Sequence, residues 1–125
     1  MTEAYKIYHE SMLAKEYWQG IRALGSIVSK GDDIGQALSL RSHLLHLVGN
    51  EAEALRDLDR AIEIGYRPCG VYYDRGALHH RAKRYRLALF DLCEAVCLAY
   101  LEDDDRLIDA AEHQFIAIFE EMRSA

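Results

Sequence analysis

At 125 residues, half of them hydrophobic and 29% charged, the chain has the length and composition of one ordinary globular domain with a continuous core. A net charge of −6 argues against a general nucleic-acid binder, which is ordinarily basic, and no apolar run approaches the ~18 residues of a membrane span. Three cysteines are too few for a disulfide framework and the opening MTEAYKIYHESM lacks the apolar core of a secretory leader, so the expected setting is the reducing cytoplasm, away from membranes.

A single proline, Pro68, among many Ala, Leu, Arg and Glu predicts an all-α chain. Residues 1–34 contain KEYWQGIRAL, with Gly20 and Leu24 at spacings that recur downstream, and read as a worn helix pair. Residues 36–48 form the next helix. Gly49-Asn50 breaks it, and Asn50 with Glu53 has the pattern of a capping box for a helix running to about Ile64. Gly65 is placed to stop that helix and Pro68 to prevent its continuation. Helices near 70–82 and 85–99 repeat the plan. Residues 103–123 form a last helix, with the acidic run Glu102-Asp103-Asp104-Asp105 at its N-terminus, where the macrodipole favours negative charge. Its apolar side carries Leu107, Ile108, Ala111, Phe115, Ile118 and Met122. The expected total is seven helices: three pairs and a cap.

Residues 35–68 superimposed on 69–102 give nine identical pairs of 34: Arg41/Arg75, Leu44/Leu78, His46/His80, Ala54/Ala88, Leu55/Leu89, Asp57/Asp91, Leu58/Leu92, Ala61/Ala95 and Tyr66/Tyr100. Roughly two or three would arise by chance from ordinary composition. A 34-residue period is that of stacked helix pairs. Two antiparallel helices approach closely only where small side chains sit at the crossing. Ser42 and Gly76 supply these on the first helices, and Ala54, Ala61, Ala88 and Ala95 on the second. Leu38, Tyr72, Leu45, Leu58, Leu92, Ile62 and Val96 fill the space around the crossings.

These residues resemble the tetratricopeptide repeat family, whose consensus runs W-x2-L-G-x2-Y, then A-x3-F-x2-A, then P. Tyr72, Gly76, His79, Ala88, Leu92 and Ala95 stand at its intervals in one unit, and Leu38, Ser42, Leu45, Gly49, Ala54, Leu58 and Ala61 in the other. The departures are Arg41 and Arg75 in place of leucine, and no proline at Tyr66 or Tyr100. The resemblance implies one domain, a right-handed superhelical solenoid of about three antiparallel helix pairs plus a C-terminal capping helix: 1–34 degenerate repeat, 35–68 and 69–102 repeats, 103–125 cap. It also implies a protein-interaction scaffold or adaptor, with a peptide or helical segment of a partner held in a concave groove and no catalysis. The groove positions that the resemblance assigns are Tyr5, His9 and Met12, then Ser39, His43 and His46, then Tyr73, Ala77, His80 and Arg81. The lysines and asparagines with which some relatives clamp a partner's C-terminal carboxylate are replaced by Tyr5, His9, Leu40, Gly70 and Asp74. An apolar, aromatic or acidic segment is therefore the expected occupant. Secretion chaperones of this fold have a longer leading helix than is evident here.

The same residues bear on other chemistries. The histidines recur in the frame, but equivalent residues on stacked helices lie about 8–10 Å apart. Zinc needs ligands at ~2 Å, so groove polarity is preferred over a metal site. Cys93 and Cys97, one turn apart, lack zinc or redox spacing and are expected to be partly buried between units. Trp18 is expected to pack between the worn pair and its neighbour. Lys83, Arg84 and Arg86 stand at a helix N-terminus, where positive charge is disfavoured, and could hold an anion or an acidic partner segment. No phosphate loop or nucleophile elbow is present, and neither an enzymatic activity nor a cofactor is expected. The alternatives are a structural module that self-assembles through its end faces into a homo-oligomer, a secretion-chaperone-like protein, and a metal- or anion-responsive helical protein.

Overall fold

A computed structural model describes residues 2–31 and 33–124. Among the described residues there are seven helices and no strand: α1 (Glu3–Ala14), α2 (Tyr17–Lys30), α3 (Ile34–Leu47), α4 (Glu51–Glu63), α5 (Cys69–Arg81), α6 (Tyr85–Glu102) and α7 (Asp105–Ser124). They form two compact units that divide between Tyr66 and Arg67.

The first unit holds α1 to α4. Its core joins Ala4, Leu24, Ile27, Ala37 and Leu44, with Ile7, Tyr8, Met12 and Ile21 packed against them. Within the α3–α4 hairpin, Ser42 is buried and its hydroxyl donates to the Ala54 carbonyl at 2.9 Å. The crossing is thus small in volume and satisfied in polarity, as burial of a hydroxyl requires. The α1–α2 pair closes differently. Gly20 takes the frame position of Ala54, and a Cβ there would collide with the Ser11 side chain.

The second unit holds α5 to α7, with Ala88, Leu92, Ala111 and Ile118 as its core and Tyr73, Tyr85, Leu89, Val96 and Phe115 around it. At the α5–α6 crossing, a Cβ on Gly76 would lie 3.3 Å from both the Ala88 carbonyl oxygen and the Asp91 Cβ, tighter than ordinary contact. Leu24, Leu58 and Leu92, 34 residues apart, are each fully buried.

The hairpin turns carry the period at the backbone level. Lys15, Gly49 and Lys83 all have left-handed φ (56°, 85° and 60°). The next residues, Glu16, Asn50 and Arg84, share φ of −101°, −93° and −92° with ψ of 63°, 69° and 72°. Each of the three donates its N–H to a carbonyl five residues back, Ser11, Leu45 and His79 respectively. Glycine at 49 takes the left-handed conformation without the Cβ penalty that Lys15 and Lys83 bear.

Four expectations are corrected. Asn50 precedes α4 but makes no side-chain cap, because its ψ of 69° is far from the extended value a capping residue adopts. The acidic run is divided. Glu102 ends α6, Asp103 is its left-handed C-cap, and Asp104 caps α7 by accepting the Leu107 N–H at 3.1 Å. Cys93 and Cys97 are exposed rather than buried at a seam. Trp18 is 55% exposed.

Candidate functional site

In the first unit α1 and α3 bring several of the expected groove residues together. Tyr5 stacks on His9 with centroids 6.3 Å apart, one turn along α1, and lies 6.2 Å from Tyr8. Tyr8, which the sequence reading did not single out, meets His43 of α3 edge-on at 5.5 Å. Tyr8 falls in the frame position of Ser42 and Gly76, where a small residue was looked for, which is why it escaped notice. Tyr5, His9 and His43 are exposed. Met12 and Ser39 are half-buried, and Met12 packs into the core rather than standing on the surface. His46 turns toward the start of α4. Its Nδ1 is shut off from water 3.5 Å from a Glu51 carboxylate oxygen, beyond good hydrogen-bond geometry.

The face formed by α1 and α3 is aromatic, and α3 has no carboxylate anywhere in its length. His43 has its pKa held below the usual imidazole value of 6.5, first by burial and then by the neighbouring His46. Both effects penalise the imidazolium, so at neutral pH the ring is an uncharged, weakly polar surface.

In the second unit the expected residues are engaged within the unit. Tyr73 is half-buried against the core, and burial followed by the nearby Asp74 raises its phenol pKa. The His80 side chain is only 13% exposed. Gln114 donates to its Nδ1 at 2.6 Å, which fixes the proton on Nε2, and Nε2 donates to Glu121 at 2.9 Å. Arg81 is exposed at the end of α5. Lys83, Arg84 and Arg86 surround the α6 N-terminus as expected and are exposed. The Arg84 Nε donates to His79 Nδ1 at 3.0 Å. Lys83 and Tyr85 share an open cleft with Glu120 and Glu121 of α7, so the chain itself places carboxylates beside this basic end.

Two further side-chain groupings had no counterpart in the sequence reading. Arg41 binds Asp57 through two hydrogen bonds of 2.8 Å, and Arg75 binds Asp91 through bonds of 2.9 and 2.8 Å. The N-terminus of α5 is held by Glu102, which accepts the Cys69 N–H at 2.9 Å and the Cys69 thiol at 3.2 Å; Asp104 lies 3.6 Å from the same sulfur. Burial first, then Glu102 and Asp104, pushes the thiol up to about 12, so Cys69 is a buried hydrogen-bond donor rather than a nucleophile.

No family model and no curated protein matches this chain.

Among the described residues no three His, Cys, Asp or Glu side chains converge as a metal site would require, and no helix is long and apolar enough to cross a membrane. The recurring histidines go to different work: His43 to a ring cluster, His46 toward Glu51, His80 to a hydrogen-bonded lock on α7.

Proposed function

We propose that the protein is a tetratricopeptide-like interaction module whose binding surface is the α1/α3 face, and that its occupant is an apolar or aromatic segment of a partner protein. The observation that carries this reading is the ring cluster of the exposed Tyr5, His9 and His43 around the half-buried Tyr8, drawn from two helices and free of carboxylates on α3. Tyrosine offers large contact area at small conformational cost and is enriched among residues that dominate binding energy. A site built on two packed helices orders little of itself on contact, so less entropy opposes association. Of the partner classes that the sequence left open, a neutral His43 disfavours an acidic segment and favours an apolar one.

Selection of a random peptide library on the purified protein at pH 7.5 tests the reading. Enriched peptides are expected to be rich in aromatic and aliphatic residues. Tyr5→Ala/His43→Ala is expected to weaken them by about tenfold or more, the scale of one lost hot spot, with an unchanged far-ultraviolet circular dichroism spectrum. Enrichment of acidic peptides, or undiminished binding by the double variant, would refute it.

A further inference from the structure

Helix α6 is apolar on two opposite faces, and only one of them is used within the chain. Ala88, Leu92, Ala95 and Ala99 are buried. On the other side Phe90, Tyr100 and Leu101 are 75%, 66% and 81% exposed, with Cys93, Cys97 and one charged residue, Glu94, exposed between them. A helix that is hydrophobic all round is ordinarily covered all round. The preceding repeat supplies an internal control. Thirty-four residues earlier, the exposed face of α4 carries Arg56, Asp59 and Glu63 where α6 has Phe90, Cys93 and Cys97. The same backbone position is solvated in one repeat and apolar in the next.

We propose that this protein forms a two-fold symmetric dimer in which the exposed face of α6 packs antiparallel against the same face of a second copy. The stripe is self-complementary about an axis level with Ala95. Phe90 then faces Tyr100 of the second copy, and Cys93 faces Cys97, each contact occurring twice as an isologous interface requires. The charges at the helix ends decide for a second copy over an unrelated partner. The α6 N-terminus bears the exposed Arg84 and Arg86, and its C-terminus runs into the exposed Asp103 and Asp105, Glu102 and Asp104 being engaged at Cys69 and the start of α7. Antiparallel pairing sets the basic end of each copy beside the acidic end of the other, and opposes the two helix dipoles. A parallel pairing would set like charges together.

The area is sufficient. An aromatic side chain buries about 150–250 Å² in full. With their exposures, Phe90, Tyr100, Leu101 and the 48%-exposed Leu87 offer on the order of 500–600 Å² per copy. Both copies together reach roughly 1,100 Å², near the lower limit of specific interfaces, so the dimer is reversible and concentration-dependent.

Sedimentation equilibrium of the full chain is expected to give twice the chain mass at high concentration, dissociating on dilution. Phe90→Glu places an unpaired charge in the interface and should raise the dissociation constant by at least about tenfold, with unchanged helical circular dichroism. Orientation is read separately with a short bis-maleimide. Cys93→Ser or Cys97→Ser protein alone should cross-link poorly into dimers. An equimolar mixture of the two should cross-link well, because only the mixed dimer places Cys93 opposite Cys97. A wild-type chain that stays monomeric up to its solubility limit, a dimer indifferent to Phe90→Glu, or single variants that cross-link with themselves as well as the mixture does would overturn the proposal. The serine variants test it even if Phe90→Glu fails to fold.

Discussion

Asp57 and Asp91 are nearly buried carboxylates, each gripped by the two-pronged guanidinium of the arginine sixteen residues before it. Arg41 has its pKa raised, chiefly by the hydrogen bond to Asp57, which only reinforces a charge present at every ordinary pH. The Asp57 side chain is 9% exposed and that of Arg41 24%, so the pair lies between a solvated bridge, worth little, and a sealed one. Removing one partner strands the other in a poorly solvated place. Arg41→Ala and Asp57→Ala are each expected to cost about 2–3 kcal/mol in urea denaturation. The double variant Arg41→Met/Asp57→Leu should cost clearly less than the two single losses added together, because it leaves no orphaned charge. Additive losses would mean that the two residues act independently. All four residues were visible in the sequence as identities in the 34-residue frame. Their pairing was not, since neither propensity nor period says that positions 41 and 57 face each other across a hairpin. Tyr8 was missed for a related reason: in the worn first pair it is Ser11 on α1 that meets Gly20, so the small residue does not stand at position 8. The exposure of Trp18 was legible, since the frame aligns it with the exposed Ala52 and Arg86, but the tendency of a large aromatic ring to be buried pointed the other way.

Helix boundaries were legible wherever a break in pattern coincided with a residue able to turn the chain, as at Gly49 and Gly65. Capping was less legible, because a cap needs a backbone conformation and not merely a residue type. Thr2 has it, with ψ of 159°, and its side chain accepts the Tyr5 N–H. Asn50 does not, since the tight turn repeated at positions 16, 50 and 84 holds ψ near 70°. Asp104 reaches the Leu107 N–H and caps α7. Asn50→Ala is therefore expected to change stability by at most a few tenths of a kcal/mol, whereas Asp104→Ala should cost about 1 kcal/mol or more, also losing a carboxylate at the positive end of the helix. Thermal unfolding of the two variants side by side checks the contrast, and equal losses would show that Asn50 caps α4 after all. The same reasoning places Glu102 at the start of α5: its role depends on the α6–α7 corner returning to Cys69, a long-range closure that no local pattern records.

Between about pH 4 and 8, two groups shifted in opposite senses act on the stability of the molecule. Burial raises Asp74, which is half-buried on α5, from 3.8 to about 6. Its folded state takes up a proton more readily than its unfolded state, so this stabilisation is complete below about pH 3.8 and lost as pH rises through about 6. His43 is shifted down from 6.5, so its stabilisation is present above that value and lost as pH falls through its lower folded pKa. The Asp74 penalty therefore grows as pH rises above about 3.8 and is nearly complete by about 6, while the His43 penalty grows as pH falls below 6.5, so no pH leaves both groups unpenalised. At neutral pH and above only the Asp74 penalty remains, on the order of 2 kcal/mol once partial solvation is allowed for. Asp74→Asn keeps the shape and cannot ionise. It is expected to match wild type at pH 4 and to exceed it by about 2 kcal/mol at pH 8, turning a fall in melting temperature between those values into a plateau. The gain should be independent of protein concentration, because Asp74 lies outside the α6 stripe. A variant no more stable than wild type at pH 8 would mean that the Asp74 carboxylate finds a stabilising partner when ionised, and that the cost of its burial is offset inside the folded chain.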